Sequence, residues 1–321
     1  MVRNDLLMKE YSFVWRRWWS LLAILVVPVL DGADERPVFT SGITLVHVEA
    51  QVRDTGGNPV SGLSKLDFRV FDEKGERPVV AFAAEPEPLD IVLLLDVSGS
   101  MNLASEPIAI AGGRALSHLR KGDRVAAMVF SSETKLLAPF TDRFDSIEET
   151  LRQMQTAKFR GSTYCYDGIY EAATLFRGVN SQGRRRAVVI VTDNMTGRGK
   201  HSLESAMENL WESDATLNGL ITGRRARFAP PLPPRMRGGI QRLVARTGGE
   251  MLAVSDVDSA FPEILNRIRK RYSVYYRLPE SEPGSLRSVR VELSADANRR
   301  FPSARVLARA MAPEKGLIPR P

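Results

Sequence analysis

The chain has 321 residues, of which 43% are hydrophobic and 26% charged; this composition suits a folded globular protein with room for two domains and excludes a disordered or low-complexity one. A single cysteine, Cys165, excludes both an intrachain disulfide framework and a cysteine-rich metal cluster, and fits a small buried hydrophobe. The net charge of +7 rests on arginine, without the interleaved aromatics or recognisable module of a nucleic-acid binder, so no nucleic-acid partner is expected.

Taken in chain order, Arg16-Arg17 precede an uncharged apolar run, Trp18–Leu30. The run is too short to span a bilayer comfortably and matches the hydrophobic region of a signal peptide. Cleavage after Ala33 would put Asp31 where a small residue is expected. Residues 1–33 therefore read as a signal peptide or a retained membrane anchor through 18–30, and the location as periplasmic or secreted. No cysteine follows the run, which excludes a lipoprotein anchor.

From 38 to 88 the pattern is β. Val46, Val48, Ala50 and Val52 alternate with His47, Glu49, Gln51 and Arg53, as in a strand with one apolar face. A turn at 54–59, a strand near Phe68–Phe71, a turn at Lys74-Gly75 and a strand near Pro78–Ala84 follow, and Glu85–Pro88 is a linker. Three strands do not readily close a sandwich. The C-terminal stretch 272–310 supplies further strands at Tyr272–Leu278, Ser288–Leu293 and Arg305–Ala308. The two flanks are expected to pair into one small β-sandwich with the 89–271 region inserted between them; the alternative is that these strands extend the main sheet. Residues 311–321 read as a tail.

Between the flanks, strand and helix alternate. Strands are predicted at Ile91–Leu95, Ala187–Val191, Thr216–Ile221 and Glu250–Val254, with a hairpin of Arg124–Phe130 and Thr134–Ala138. Helices are predicted near Pro107–Leu119, Ser146–Gln155, Tyr166–Phe176, Leu203–Trp211, Gly239–Arg246 and Ser259–Arg271. This order predicts an α/β fold with a doubly wound, mainly parallel sheet. The Pro/Arg-rich loop Gly223–Arg237 reads as disordered or partner-facing. Arg184-Arg185-Arg186 reads as a solvated loop, with attraction to acidic partners as the weaker option, and His47, His118 and His201 as solvated or capping.

The chemistry concentrates where two buried runs end. Five apolar residues, Ile91–Leu95, lead into Asp96-Val97-Ser98-Gly99-Ser100, which puts a carboxylate and two hydroxyls at the carboxyl end of a central strand. A second buried run, Ala187–Thr192, ends in Asp193, and Gly161-Ser162-Thr163 lies in a polar loop between them. Clustered hard oxygens suit Mg²⁺ or Mn²⁺ and suit neither zinc nor copper. Taken singly, each aspartate is equally a helix N-cap and each hydroxyl a turn residue.

This set, in this order, resembles the metal-ion-dependent adhesion site of von Willebrand factor A (VWA) domains, over roughly 88–272. Asp67-Phe68-Arg69-Val70-Phe71-Asp72-Glu73-Lys74-Gly75, Thr247–Met251 and Tyr272–Tyr276 resemble a bacterial VWFA-related subgroup abundant in Acidobacteria. The resemblance implies a Rossmann-like fold and a metal site of Asp96, Ser98, Ser100, Thr163 and Asp193, the three hydroxyls coordinating directly or through water and the aspartates mainly holding the bound waters or the hydroxyls. It also implies a Glu or Asp from a partner protein as the final ligand. The family commonly has Gly after the second aspartate; here Asn194 stands there, a residue that tolerates positive φ. The expectation is an exported, non-enzymatic adhesion or interaction module. Two alternatives stand: a structural envelope protein with a vestigial site, and a metal-dependent phosphoesterase needing further carboxylates or histidines near Asp96.

Overall fold

Strands of two kinds follow one another along the chain, and what covers their faces separates them. The computed structural model describes residues 44–84, 86–154, 160–180, 183–222, 238–253, 257–278 and 287–312. The first kind comprises β1 (Thr44–Arg53), β2 (Phe68–Asp72), β3 (Gly75–Arg77) and β4 (Val79–Ala83). The second kind begins with β5 (Leu89–Asp96), α1 (Ser105–Leu116), β6 (Arg124–Phe130), β7 (Thr134–Thr141), α2 (Phe144–Met154) and α3 (Cys165–Leu175). It continues with β8 (Arg185–Thr192), α4 (Leu203–Glu212), β9 (Ala215–Ile221), α5 (Gly239–Thr247), β10 (Met251–Ala253) and α6 (Val257–Arg269). The chain then returns to the first kind with β11 (Tyr272–Leu278), β12 (Arg287–Ser288), β13 (Arg290–Leu293), the short helix α7 (Ala295–Arg300), β14 (Arg305–Ala308) and β15 (Met311–Ala312).

The second kind forms a six-stranded sheet in the order β10-β9-β8-β5-β6-β7. All its pairings are parallel except the β6–β7 hairpin at one edge. All eight residues of β5 are buried, because helices cover both faces and side chains alternate between them. Ile91, Leu93 and Leu95, with Ala187, Val189 and Val191, pack against α1, α2 and α6 through Ile108, Ile147, Leu151, Phe261 and Ile264. Val92, Leu94, Val188 and Ile190 pack on the other face against α3, α4 and α5 through Ile169, Leu210 and Leu243. The helix after β5 and the helix after β8 thus lie on opposite faces. Between neighbouring strands that diverge in this way a crevice opens at their carboxyl ends.

β12 and β15 pair with each other, and the remaining strands of the first kind form a four-stranded sheet, β14-β1-β11-β4, and a three-stranded sheet, β13-β2-β3. In each, N-terminal and C-terminal strands pair antiparallel: Val48 stands opposite Val274, and Phe68 opposite Leu293. The two sheets share one core of Val46, Val48, Phe68, Val70, Tyr272, Val291 and Leu293. None of these strands joins the six-stranded sheet, so the extended-sheet alternative is set aside.

The polar face of β1 is not solvated. His47 Nδ1 lies 3.0 Å from Asp214 Oδ2, and Gln51 Nε2 donates to the Arg267 carbonyl at 3.2 Å. Glu49 Oε1 lies 3.3 Å from Arg185 Nε, and Arg53 pairs with Glu250. Every second residue of β1 therefore docks on the amino-terminal end of the α/β sheet. The expectation of a solvated loop at 184–186 is corrected by the same contacts. Arg185 opens β8, is 0% exposed, and donates to the carbonyls of Ile268, Arg269 and Arg271 at 2.9–3.1 Å. Arg184 pairs with Asp90 at 2.6 Å. The physical reason is desolvation: a guanidinium enters the interior only where acids and carbonyls converge on it. His47 is likewise corrected, from solvated to paired.

Candidate metal centre

β5 and β8 are neighbours in parallel register, and the residues that end them define the site. Asp96 is 1% exposed. Its Oδ1 accepts the Ser98 backbone N–H at 2.9 Å and its Oδ2 accepts the Thr192 hydroxyl at 2.7 Å. The carboxylate is thus fixed by one bond from its own turn and one from the next strand. Burial pushes the Asp96 carboxyl above the usual range, against the hydrogen bonds from Ser98 and Thr192, and nearby Asp193 pushes the same way. The Ser98 and Ser100 hydroxyls stand 3.2 Å apart on the turn that Asp96 holds, Ser98 buried and Ser100 exposed.

The Thr163 loop is drawn in by backbone bonds. The Gly99 N–H reaches the Gly161 carbonyl at 3.4 Å, and the Tyr164 N–H reaches the Ser131 carbonyl at 3.0 Å. Ser162 N–H donates to Ser132 Oγ at 2.8 Å. Gly161 has φ +93°, and a Cβ there would lie 2.6 Å from Ser132 Oγ, so both backbone conformation and close approach call for glycine. Behind it, Gly168 lets α3 approach β6: a Cβ would stand 2.9 Å from the Phe130 ring. Thr163 is buried, and its carbonyl accepts the Gly197 N–H at 2.6 Å.

Asp193 follows β8 directly. Its Oδ1 accepts the Met195 N–H at 3.0 Å. Asn194 between them has φ 65°, the left-handed turn expected of it. The structure therefore joins Asp96, Ser98 and Ser100 by direct hydrogen bonds, and brings the Thr163 loop against theirs through Gly99–Gly161. Among the described residues, neither the Thr163 hydroxyl nor the Asp193 carboxylate hydrogen-bonds to that trio. Cys165, buried beneath the loop, donates to the Met195 carbonyl at 3.0 Å, and burial holds its thiol protonated.

The donor chemistry fits a hard divalent cation. Neighbouring ligands of a Mg²⁺ octahedron with bonds of about 2.1 Å stand about 3 Å apart, which is the Ser98–Ser100 hydroxyl spacing. Among the described residues no three His, Cys, Asp or Glu side chains cluster in a metal-holding arrangement, so any cation here relies on hydroxyls. Two positioning residues escape a reading based on acids and loops. Thr192 orients Asp96; a polar residue closing an otherwise aliphatic run was its signal. Asp167 accepts the N–H groups of Lys200 and His201 at 2.9 and 2.7 Å and thereby holds the 195–201 loop over Thr163; nothing in its spacing marks it.

Residues 91–197 match the family model of the von Willebrand factor type A domain. No curated protein matches the chain. Among solved structures, a von Willebrand factor type A protein from Catenulispora acidiphila is 11% identical, over 85% of this chain and 75% of that one, with a TM-score of 0.46. An aerotolerance-related membrane protein from Bacteroides fragilis is 18% identical, over 57% and 99%, with a TM-score of 0.45. Manganese-loaded Plasmodium vivax TRAP protein is 17% identical, over 71% and 98%, with a TM-score of 0.43.

Proposed function

We propose that this protein, whose residues 91–197 match the family model of the von Willebrand factor type A domain, is a non-enzymatic protein-binding module that acts through a divalent cation. Asp96, Ser98, Ser100, Thr163 and Asp193 hold Mg²⁺ or Mn²⁺, and an Asp or Glu of a partner protein completes the shell. The observation that carries the reading is the pair of hydroxyls 3.2 Å apart above a carboxylate locked from two sides. When bound, the cation supplies a positive centre with an open position that a carboxylate can enter. Thr192 and the Ser98 N–H fix Asp96's oxygens, with the Ser98 hydroxyl buried beside them and Ser100 exposed. Neutral hydroxyls leave most of the ionic charge uncompensated, which favours an anionic ligand from outside.

The same proposal takes residues 38–88 and 272–310 as a sandwich that carries the 89–271 module, and places the protein outside the cytoplasm. The run 18–30 that motivates export lies outside the described residues; among those described, no helix is long and apolar enough to cross a membrane. Asp96→Ala is expected to abolish Mg²⁺-dependent thermal stabilisation, about 2.7 kcal/mol when Mg²⁺ stands at a hundred times its dissociation constant, and to leave the circular dichroism spectrum unchanged. Equal stabilisation in wild type and variant would overturn the ligand assignment. Capture of envelope proteins that persists in chelator would favour the vestigial-site alternative.

A further inference from the structure

Three loops make a continuous exposed rim around the candidate metal centre: Gly99-Ser100, Arg160–Ser162 and Met195–Lys200. They are tied to one another by Gly99 N–H to the Gly161 carbonyl, by Gly197 N–H to the Thr163 carbonyl, and by the Cys165 thiol to the Met195 carbonyl. The carboxylates nearest this rim are all engaged by hydrogen-bond donors. Asp96 is taken by Ser98 and Thr192, Asp193 by the Met195 N–H, and Asp167 by the amides of Lys200 and His201. By contrast, Arg160, Arg198 and Lys200 are all exposed, and none forms an ion pair with a described residue. On the neighbouring hairpin Glu133 is exposed, with Lys135 at 3.6 Å offsetting its charge.

We propose that this rim selects a partner whose coordinating carboxylate lies within an acidic stretch, with Arg160, Arg198 and Lys200 engaging the flanking acids. The inference rests on the metal-dependent binding proposed above and adds the chemistry of the partner's surroundings. Metal coordination requires one carboxylate and is blind to its neighbours. Exposed cations at a rim act at longer range, raising association rates and salt dependence more than they lengthen the bound state. Partner residues in hydrogen-bond reach of a guanidinium gain charge-assisted bonds as well. Met195, 40% exposed on the same loop, offers the partner an apolar contact.

The test uses two fluorescein-labelled peptides in Mg²⁺ buffer, one with a single Asp in a Gly/Ser frame and one with that Asp flanked by Glu on both sides. The acidic peptide is expected to bind wild type about ten-fold more tightly at low salt, mainly through faster association, with the advantage shrinking as salt rises. The triple variant Arg160→Ser/Arg198→Ser/Lys200→Ser is expected to lose that advantage and to keep full Mn²⁺ binding. No advantage in wild type, or one that survives in the triple variant, overturns the rim proposal. Rim-dependent binding to phosphatidylserine vesicles that exceeds binding to the acidic peptide overturns it in favour of a lipid surface. Ser98→Ala and chelator report separately on the metal: if neither changes the binding of either peptide, the metal reading fails, while a rim-dependent acidic preference still stands.

Discussion

The two ends of one sheet are built on opposite electrostatic plans. At the amino end, charges are buried in pairs. Arg185, 0% exposed, faces Glu49 at 3.3 Å, Asp90 takes Arg184 and Arg124 at 2.6 Å each, and Asp123 takes Arg269 at 2.6 Å. At the carboxyl end, Asp96 is buried with hydroxyl and amide donors only. At the first end, acids and bases from the sandwich and the α/β core pair with one another within the chain. Among the described residues, the second has a buried carboxylate with no cationic partner. One end is therefore a joint, and the other is the proposed site.

The largest effect is expected at the joint. Arg185→Ala leaves Glu49, which is 1% exposed, with the more distant Arg271 at 3.9 Å as its cationic partner, and removes donors from three carbonyls at the α6–β11 junction. Breaking a buried pair from one side costs about 3–5 kcal/mol, to be read from urea unfolding. Ser98→Ala at the other end keeps its backbone bond to Asp96, and a loss below about 1 kcal/mol is expected. Similar losses for the two would erase the distinction between joint and site.

Gly168→Ala sharpens the comparison from behind the site. Its methyl would press on Phe130, and overpacking of this kind costs about 1–3 kcal/mol. Because α3 follows the Thr163 loop, Mn²⁺ affinity should fall as well, whereas Arg185→Ala should leave affinity intact at temperatures where the protein stays folded. Calorimetric titration of both variants checks this.

A smaller effect is pH dependence at the joint. Burial lowers the His47 pKa, but Asp214 at 3.0 Å outweighs it and the net shift is upward from 6.5; Glu49 adds to the rise and Arg309 opposes it, while Tyr275 stacks on the ring. The stability from protonated His47 is whole below pH 6.5 and is lost as pH rises through the raised folded value. Burial opposes the charge on Asp214, yet Arg309 and His47 hold it at about 2, so its contribution is present above pH 3.8 and fades as pH falls toward 2. Urea stability of wild type should therefore decline from pH 6 to 9, and His47→Gln should flatten that limb. An unchanged limb in the variant would separate His47 from the joint. Smallest of all, Glu76→Gln breaks a half-exposed pair with Arg69 and should cost at most about 1 kcal/mol by the same urea titration.

The contrast also explains what the sequence shows and hides. Ile91–Leu95 and Ala187–Val191 announce strands buried on both faces, and the βα alternation announces the parallel sheet, because local hydrophobic period follows directly from what covers each face. The five candidate ligands stand out because loops at strand ends are short and their residue types are restricted. Asn194 keeps the turn at φ 65°, as its tolerance of that region suggests. The joint is invisible by the same logic. His47, Glu49, Gln51 and Arg53 have the period of a solvated face, and Arg184–Arg186 look like a surface run. Their partners, Asp214, Glu250, Arg267 and the carbonyls of α6, lie far along the chain. Only tertiary pairing converts those charges from solvated to buried. Thr192 and Asp167 are hidden for a related reason: each positions another residue and holds no ligand itself.

The most direct test is electron paramagnetic resonance of Mn²⁺ titrated into wild type and Ser98→Ala. One Mn²⁺ is expected to bind per wild-type chain and to be lost in Ser98→Ala, with the thermal midpoint of the metal-free protein lowered by at most about 4 °C. Undiminished Mn²⁺ binding by Ser98→Ala, or none by wild type, would contradict the account.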